Sequence, residues 1–299
     1  MGGMLLVDKP GGVTSHDVVA RARRALGTRK IGHAGTLDPM ATGLLILGVD
    51  EATRLLTYIV GLEKTYEATI RLGVATDSDD ADGEITAATD AGDLTSGAIA
   101  AAITPLTGRI SQVPSTVSAI KVGGRRAYDL ARAGEEVELT AREVTVSRFD
   151  VLQERISTGP SPGAGVVDLD VLVDCSSGTY IRALARDLGS SLGVGGHLTA
   201  LRRTRIGPFE VADAASVDAI GQATPLAPAA VAASVLGRLE VTADEARDLR
   251  HGKRLAGAAG RIPDRTAAAI DPDGTLVGIV EKRGSDLKSA MNMPEEQTR

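Results

Sequence analysis

The sequence predicts an α+β fold: a mixed, mainly antiparallel sheet with helices packed on it, followed by a small barrel-like β module. Three observations predict it. Apolar residues alternate with polar ones in "KTYEATIRLG" (64–73), "REVTVSRFDVL" (142–152) and "VVDLDVLVDC" (166–175), the period-two signal of half-buried strands. Segments of helical spacing fall between the strand signals, so strands return after helices as layered folds require. Near residues 221–236 the composition turns to alanine and proline with little charge, and a second, shorter set of strands around one helix follows.

Taken in order, "LLVDKPGGVTS" (5–15) reads as a strand and a turn. Ser15 is placed to cap a helix from about His16 to Leu26, with Val18, Val19, Ala22 and Leu26 on its apolar side and Gly27 at its end. "GHAGTLDPMATG" (32–43) is a glycine-rich loop in which Asp38 precedes Pro39. A residue before proline is pushed out of the α region, so the Asp38 carboxylate is aimed by a restricted backbone. "LLILGV" (44–49) is a buried strand behind that loop. In the strand 64–73, Tyr66 shares the inward face with Ala68, Ile70 and Leu72, and "GTYIRALARDLGSSLG" (178–193) has helical spacing at Ile181, Leu184, Ala185 and Leu188.

Residues 221–236 read as a connector or domain edge. Beyond it, Thr242 and Glu245 stand at capping-box spacing with Gly252 as a stop, and "RTAAAIDPDGTLVGIVEKR" (265–283) is a strand pair closed by Pro-Asp-Gly turn chemistry. The expected organisation is a main domain over 1–230, a small module over 237–290 and a frayed tail over 291–299. Residues 90–97 and 157–165 read as variable loops.

Composition narrows the function classes. The 299 residues, 43% of them hydrophobic and 24% charged, suffice for one large core or two domains. One cysteine, Cys175, leaves no disulfide framework and no thiolate cluster for a metal, which fits a reducing cytoplasm. No apolar run approaches the roughly 20 residues that a bilayer needs. A net charge of −6 argues against non-specific coating of nucleic acid, yet says little about a local basic groove. Basic residues do cluster: Arg21, Arg23, Arg24, Arg29 and Lys30 in one patch, Arg125 and Arg126 in a second, Arg202, Arg203 and Arg205 in a third. A solvated helix face is the plain alternative for the first patch.

Several motifs lead nowhere. "DSDDADGE" (77–84) mimics a calcium loop, but with Ser78 as first ligand Thr89 falls where the bidentate glutamate belongs. It reads as an acidic turn, or as acids aimed at an arginine. No serine sits in a nucleophile elbow, and "GVGG" (193–196) lacks the spacing and lysine of a phosphate loop. No metal site is suggested, and ATP and dinucleotides are not indicated.

Six ordered blocks then carry a resemblance: "VDKPGGVTS" (7–15), "GHAGTLDPMATGLLILGVDEATRL" (32–55), "KTYEATIRLGVATDSDDADG" (64–83), "VPSTVSAIKVGGRRAYDLARAG" (113–134), "CSSGTYIRALARDLG" (175–189) and "GHLTALRRTRIGPF" (196–209). They resemble the TruB family of bacterial tRNA pseudouridine-55 synthases over about the first 210 residues. Residues 237–290 are similar to its small PUA-type RNA-binding module in size, position and strand content. The block 113–120 departs modestly, with one proline where the family commonly has two.

The resemblance implies a cofactor-free, metal-free enzyme, monomeric and cytoplasmic. It would break the N-glycosidic bond of a T-loop uridine in tRNA, rotate the base and rejoin it through C5. Asp38 matches the essential aspartate, which attacks either sugar C1′ or base C6. Tyr66 matches the tyrosine against the target base. Tyr180 and Arg182 match pocket residues, the arginine pairing the aspartate, and Leu201 matches an apolar pocket residue. His33 matches a histidine that fills space left by flipped bases, and Lys9 with Pro10 matches the motif bracing the active-site loop. A nucleophilic carboxylate must stay ionised, burial alone disfavours the ionised form, and a nearby arginine opposes that. Asp80, in the acidic turn, is expected to hold the other side of Arg182. Phosphate contacts would come from the arginine patches. Three other classes compete: a non-catalytic RNA-binding protein on this scaffold, a guide-RNA-dependent synthase, and a glycosidase, which lacks an evident second carboxylate.

Overall fold

A computed structural model describes residues 2–115, 121–122, 125–126, 139–160 and 164–294. The first part of the chain runs β1 (Met4–Lys9), α1 (Ser15–Leu26), β2 (Ile31–Ala34), β3 (Thr42–Val49), α2 (Leu56–Ile59), β4 (Lys64–Leu72), β5 (Val74–Thr76), β6 (Ile85–Ala88), α3 (Ser96–Ile103) and β7 (Gly108–Gln112). Then come β8 (Lys121–Val122), β9 (Arg125–Arg126), β10 (Arg142–Thr158), β11 (Gly165–Cys175), α4 (Ile181–Ser191), β12 (Gly196–Ile206), β13 (Phe209–Glu210) and β14 (Ala215–Ser216). The last part holds α5 (Pro228–Leu236), β15 (Arg238–Glu240), α6 (Ala243–Arg250), β16 (Thr266–Ile270), β17 (Leu276–Arg283) and β18 (Asp286–Asn292).

Two compact units divide the chain. One comprises Met1–Pro39, Gly43–Gly61 and Ile206–Arg299; the other comprises Met40–Thr42 and Leu62–Arg205. In the first unit β1 pairs antiparallel with β3 and parallel with β14, and β2 pairs antiparallel with β3, so the sheet is mixed. Helix α1 lays Val18, Val19 and Ala22 on a core that includes Leu5, Val7, Leu45, Leu47 and Ile220. Its N-cap is Thr14, not Ser15. Thr14 and Asp17 complete a reciprocal capping box, which leaves the Ser15 hydroxyl free for another partner, and Gly27 ends the helix in the left-handed conformation.

The same unit contains the C-terminal strands, in the order β15-β16-β17-β18, with their own core of Leu239, Leu249, Ala269, Val280 and Leu287 among others. Parallel β15–β16 and antiparallel β16–β17 and β17–β18 make an open sheet among the described residues, not the expected barrel. The anticipated turn is present: Asp271 Oδ1 accepts from the backbone N–H groups of Asp273 and Thr275, and Gly274 has φ +79°. The Thr242–Glu245 capping box is also present. Two expectations need correction. Within the supposed connector, Pro228 takes the first helical turn and the alanines propagate it as α5, burying Val231 and Ala232. Of the supposed tail, Met291 and Asn292 belong to β18, and the Met293 N–H donates to the Val277 carbonyl.

In the second unit the strands lie in the order β12-β4-β11-β10-β7. The β4–β11, β11–β10 and β10–β7 pairs are antiparallel. Strand β4 alternates as its sequence implies, with Tyr66, Ala68, Ile70 and Leu72 buried. The two supposed variable loops are partly regular. Thr95 caps α3, and Ser157 and Thr158 continue the β10–β11 ladder opposite Val166 and Gly165. Most of the 113–134 block lies outside the described residues.

Helix α4 buries Ile181, Arg182, Ala183, Leu184, Ala185 and Leu188, and reaches the start of β12 through a glycine contact. A Cβ on Gly189 would stand 2.2 Å from the Gly195 carbonyl carbon and the Gly196 nitrogen. Alanine in a helix is favoured over glycine by about 1 kcal/mol, whereas forcing a methyl into packed backbone costs about 1–3 kcal/mol or more. The clash decides the sign. Gly189→Ala is expected to lower the unfolding free energy by about 2 kcal/mol or more in urea titrations, and an unchanged midpoint would contradict this packing.

Candidate active site

Asp38 stands half-buried on the loop between β2 and β3, and both of its chain neighbours are pinned. On one side the Leu37 N–H donates to Ser15 Oγ at 2.9 Å, and that hydroxyl donates to the Leu37 carbonyl at 3.1 Å. On the other side the Pro39 carbonyl accepts from the Gly12 N–H at 2.9 Å and from Lys9 Nζ at 3.2 Å. Lys9 is fully buried and also donates to the carbonyls of Pro10, at 3.0 Å, and Val13, at 2.7 Å. Lys9 thus meets the Asp38 loop directly, and Pro10 lends its carbonyl to the Lys9 ammonium. Sequence reasoning spent Ser15 on the helix cap and missed its part here, because a serine beside a threonine gives no signal of which one caps. His33 sits on β2 opposite Leu47 of β3, with its ring edge-on to His16 at 5.5 Å between centroids.

In the second unit Tyr66 is buried on β4 opposite Val173 of β11, and Leu201 is buried on β12. Arg182, in the first turn of α4, is 3% exposed. Its Nη1 donates to the Ser78 carbonyl at 2.7 Å and lies 3.2 Å from Asp80 Oδ2. The other Asp80 oxygen accepts from Ser78 Oγ at 2.6 Å and from the Asp82 N–H at 3.1 Å. The Asp80–Arg182 pair anticipated from the acidic turn is therefore present. The turn is docked on β12 by the Leu198 N–H, which donates to the Asp79 carbonyl. Asp79 takes a positive φ of 61°, and burial raises its carboxyl pKa while Arg186, 3.2 Å away, opposes the shift.

Tyr180 occupies the N-cap of α4, and its backbone is held by a side chain that sequence reasoning missed. Its N–H donates to Gln112 Oε1 at 2.8 Å, and Gln112 Nε2 donates back to its carbonyl at 3.0 Å. Gln112 is the last residue of β7 and is 2% exposed. The only trace in the sequence is an amide just ahead of a motif block.

The basic patches sort by burial and pairing. Arg24 and Arg29 are exposed and make no ion pair among the described residues. Arg21 lies 3.9 Å from Asp218, Arg23 donates to the Ile31 carbonyl, and Lys30 meets Glu51 at 2.5 Å. In the third patch Arg202 donates to Thr42 Oγ1, and Arg205 donates to Thr65 Oγ1 and lies 3.5 Å from Asp174. Arg203 corrects the expectation: at 1% exposure its side chain is inside the protein and is no surface contact for phosphate. Burial, with the Arg203 charge second, pulls the Lys64 ammonium pKa down to about 8. Arg125 and Arg126 lie on β9, which pairs with β8, and their side chains fall outside what is described. Among the described residues no group of three potential metal ligands is found, and no helix is long and apolar enough to cross a membrane.

In one unit a buried arginine is clamped by a carboxylate, and in the other an aspartate stands on a braced loop; each arrangement holds a charge in a fixed position. Comparison with known proteins gives the chain a class. The model described as TruB family pseudouridylate synthase (N terminal domain) matches residues 23–181. The tRNA pseudouridylate synthase B C-terminal domain matches residues 182–240, and the C-terminal model of tRNA pseudouridine synthase II matches residues 236–294. The class is that of the pseudouridylate synthases. Within it, the chain belongs to the TruB family.

The tRNA pseudouridine synthase B of Leifsonia xyli subsp. xyli is 56% identical over 300 residues, covering 99% of this chain and 97% of that protein. The protein of the same name from Nocardia farcinica is 56% identical over 287 residues, covering 95% and 90%. A solved chain from an H/ACA ribonucleoprotein bound to a substrate RNA containing 2′-deoxyuridine shares the fold, with TM-score 0.70 at 24% identity, covering 98% of this chain and 86% of that one.

Two substitutions test the bracing. Lys9→Met keeps the aliphatic stem but strips three carbonyls of a charged donor, and should cost about 2–4 kcal/mol in chemical denaturation. It should also speed amide exchange at Leu37; exchange and stability like those of the unaltered protein would refute the brace. Asp80→Ala leaves Arg182 buried without its carboxylate and should cost about 3–5 kcal/mol. A loss below 1 kcal/mol would mean that the pair contributes little.

Proposed function

We propose that the protein isomerises a uridine of the tRNA T-loop, at position 55, to pseudouridine, with Asp38 as the nucleophile. The net chemistry is an isomerisation. The bond from C1′ to N1 breaks, the bond from C1′ to C5 forms, the proton on C5 is released, and N1 gains one. Asp38 attacks the flipped nucleotide so that the base is free to turn before it is rejoined.

Flipping the base out of a folded loop costs a few kcal/mol, which the enzyme offsets by holding it against aromatic and apolar faces. Tyr66, Tyr180 and Leu201 serve as that holder, and Tyr66 assists removal of the C5 proton. Arg182 keeps the attacking carboxylate ionised, and Asp80 orients Arg182. His33 fills the space that flipped bases leave. The exposed Arg24 and Arg29, with Arg21, Arg23, Lys30, Arg202 and Arg205, meet the RNA backbone, and the C-terminal strands act as a PUA-like RNA-binding module. Folded RNA is read in this way mainly by shape and by splayed bases.

The observation that carries this reading is the bracing of Asp38. Leu37 and Pro39 are each held by two hydrogen bonds from residues of the β1–α1 segment, so the carboxylate is presented on a fixed backbone. The name tRNA pseudouridine synthase B on relatives that match nearly the whole chain supports the substrate class.

Tritium release from C5-labelled uridine in an unmodified tRNA transcript tests it, with no guide RNA added. Release is expected from the unaltered protein, falling roughly 10³-fold or more with Asp38→Asn, the scale on which loss of a nucleophile acts. It should also vanish with a transcript lacking the T-loop uridine. Intact tRNA binding without release would instead favour a binding or guide-dependent role.

A further inference from the structure

The start of α4 has an unusual support. In a capping box, the N–H of the N-cap residue is satisfied by a glutamate or glutamine three residues along the same helix. The N-cap residue here is Tyr180, its own side chain makes no capping bond, and the residue at that third position is Ala183, which offers no acceptor. The acceptor comes instead from Gln112, 68 residues earlier in the chain. Because a glutamine amide carries both an acceptor and donors, Gln112 also takes the Tyr180 carbonyl, at 3.0 Å. Two bonds to one residue, on its N–H and its C=O, fix the peptide planes on both sides of its Cα, and with them the direction of its Cα–Cβ bond.

We infer that Gln112 is a positioning residue that aims the Tyr180 ring. This rests on the proposed role of Tyr180 against the flipped base. Burial makes the device stiff: Gln112 is 2% exposed at the end of β7, so water does not compete easily for its amide. The attachment of β7 to α4 does not depend on it, because Arg186 Nη2 donates to the Val113 carbonyl at 2.7 Å. Nor does the placement of Arg182, which has the Ser78 carbonyl and Asp80 as partners of its own. Removing the Gln112 amide should therefore leave the helix in place and loosen the one residue it grips.

The test is a double-substitution cycle on the full chain, read as single-turnover tritium release at saturating enzyme alongside the Kd for the tRNA transcript. Gln112→Ala is expected to slow turnover about 10–100-fold while Kd changes less than about threefold. Gln112→Glu still accepts from the Tyr180 N–H but no longer donates to its carbonyl, and should recover part of the loss. It also serves as the second probe if the alanine variant folds poorly. Tyr180→Ala should slow turnover by at least as much, and adding Gln112→Ala to it should cost nothing more, since the group being aimed is gone.

Additive penalties, or a Gln112→Ala variant as fast as the unaltered protein while Tyr180→Ala is slow, would overturn the positioning role alone. A Tyr180→Ala variant as fast as the unaltered protein would overturn the reading of Tyr180 itself and the inference with it.

Discussion

The Asp38 loop depends on a buried ammonium. Lys9 is wholly withdrawn from water, and an unpartnered charge there would cost more than a domain of this kind can spare. It is tolerated because the carbonyls of Pro10, Val13 and Pro39 turn toward it. Those three carbonyls belong to the turn after β1 and to the Asp38 loop, so a single side chain closes two loops onto each other. Pro39 has a carbonyl to offer but no N–H, and the proline ring restricts Asp38 just before it. Bracing and restriction thus act on adjacent residues, and a carboxylate so held loses little further freedom when it meets a substrate.

The second unit solves a similar problem, again for a buried cation, with a carboxylate among the acceptors. Arg182 is buried, and the Asp80 carboxylate and the Ser78 carbonyl take it from one turn. A buried ion pair adds little net stability, because desolvation cancels much of the attraction, but it penalises any other arrangement of its members. Its worth lies in orientation. The turn supplying both acceptors contains a non-glycine residue, Asp79, at positive φ, a conformation that costs energy and persists only where the surroundings enforce it. Here the enforcement is visible: Arg186 meets the Asp79 side chain and the Leu198 N–H takes its carbonyl.

Much of this was legible in the sequence because it was periodic or locally constrained. The alternation along 64–73 gave β4 and the inward Tyr66, the Thr242–Glu245 spacing gave the start of α6, and Pro-Asp-Gly gave the β16–β17 turn. The Asp-Pro step marked Asp38 as aimed, and the acidic turn suggested a partner for Arg182. What escaped was long-range or decided by competition. Whether Thr14 or Ser15 caps α1 depends on which hydroxyl Leu37, 22 residues away, takes. Gln112 meets Tyr180 only once β7 and α4 are in place. Arg203 looked like its neighbours in "LRRTR", yet its side chain is inside the protein. The Ala/Pro stretch read as a linker because uncharged helices lack the polar face that periodicity needs.

The fate of the arginines bears on how an acidic chain could meet RNA. Many cations of this protein are already occupied: Lys30 by Glu51, Arg71 by Asp168, Arg148 and Arg205 by Asp174, Arg155 by Asp170. Counting basic residues in a cluster therefore overstates the charge available to a phosphate, and Arg203 shows that a cluster can even point a cation inward. Within the first cluster Arg24 and Arg29 remain, exposed and without an ion pair among the described residues, on and just past a helix whose opposite side is packed in a core. On the proposed reading, few free cations suffice, because phosphate contacts orient the RNA while the pocket around a flipped base supplies the selectivity. The acidic excess of the rest of the chain, a net charge of −6, limits binding to RNA of the wrong shape.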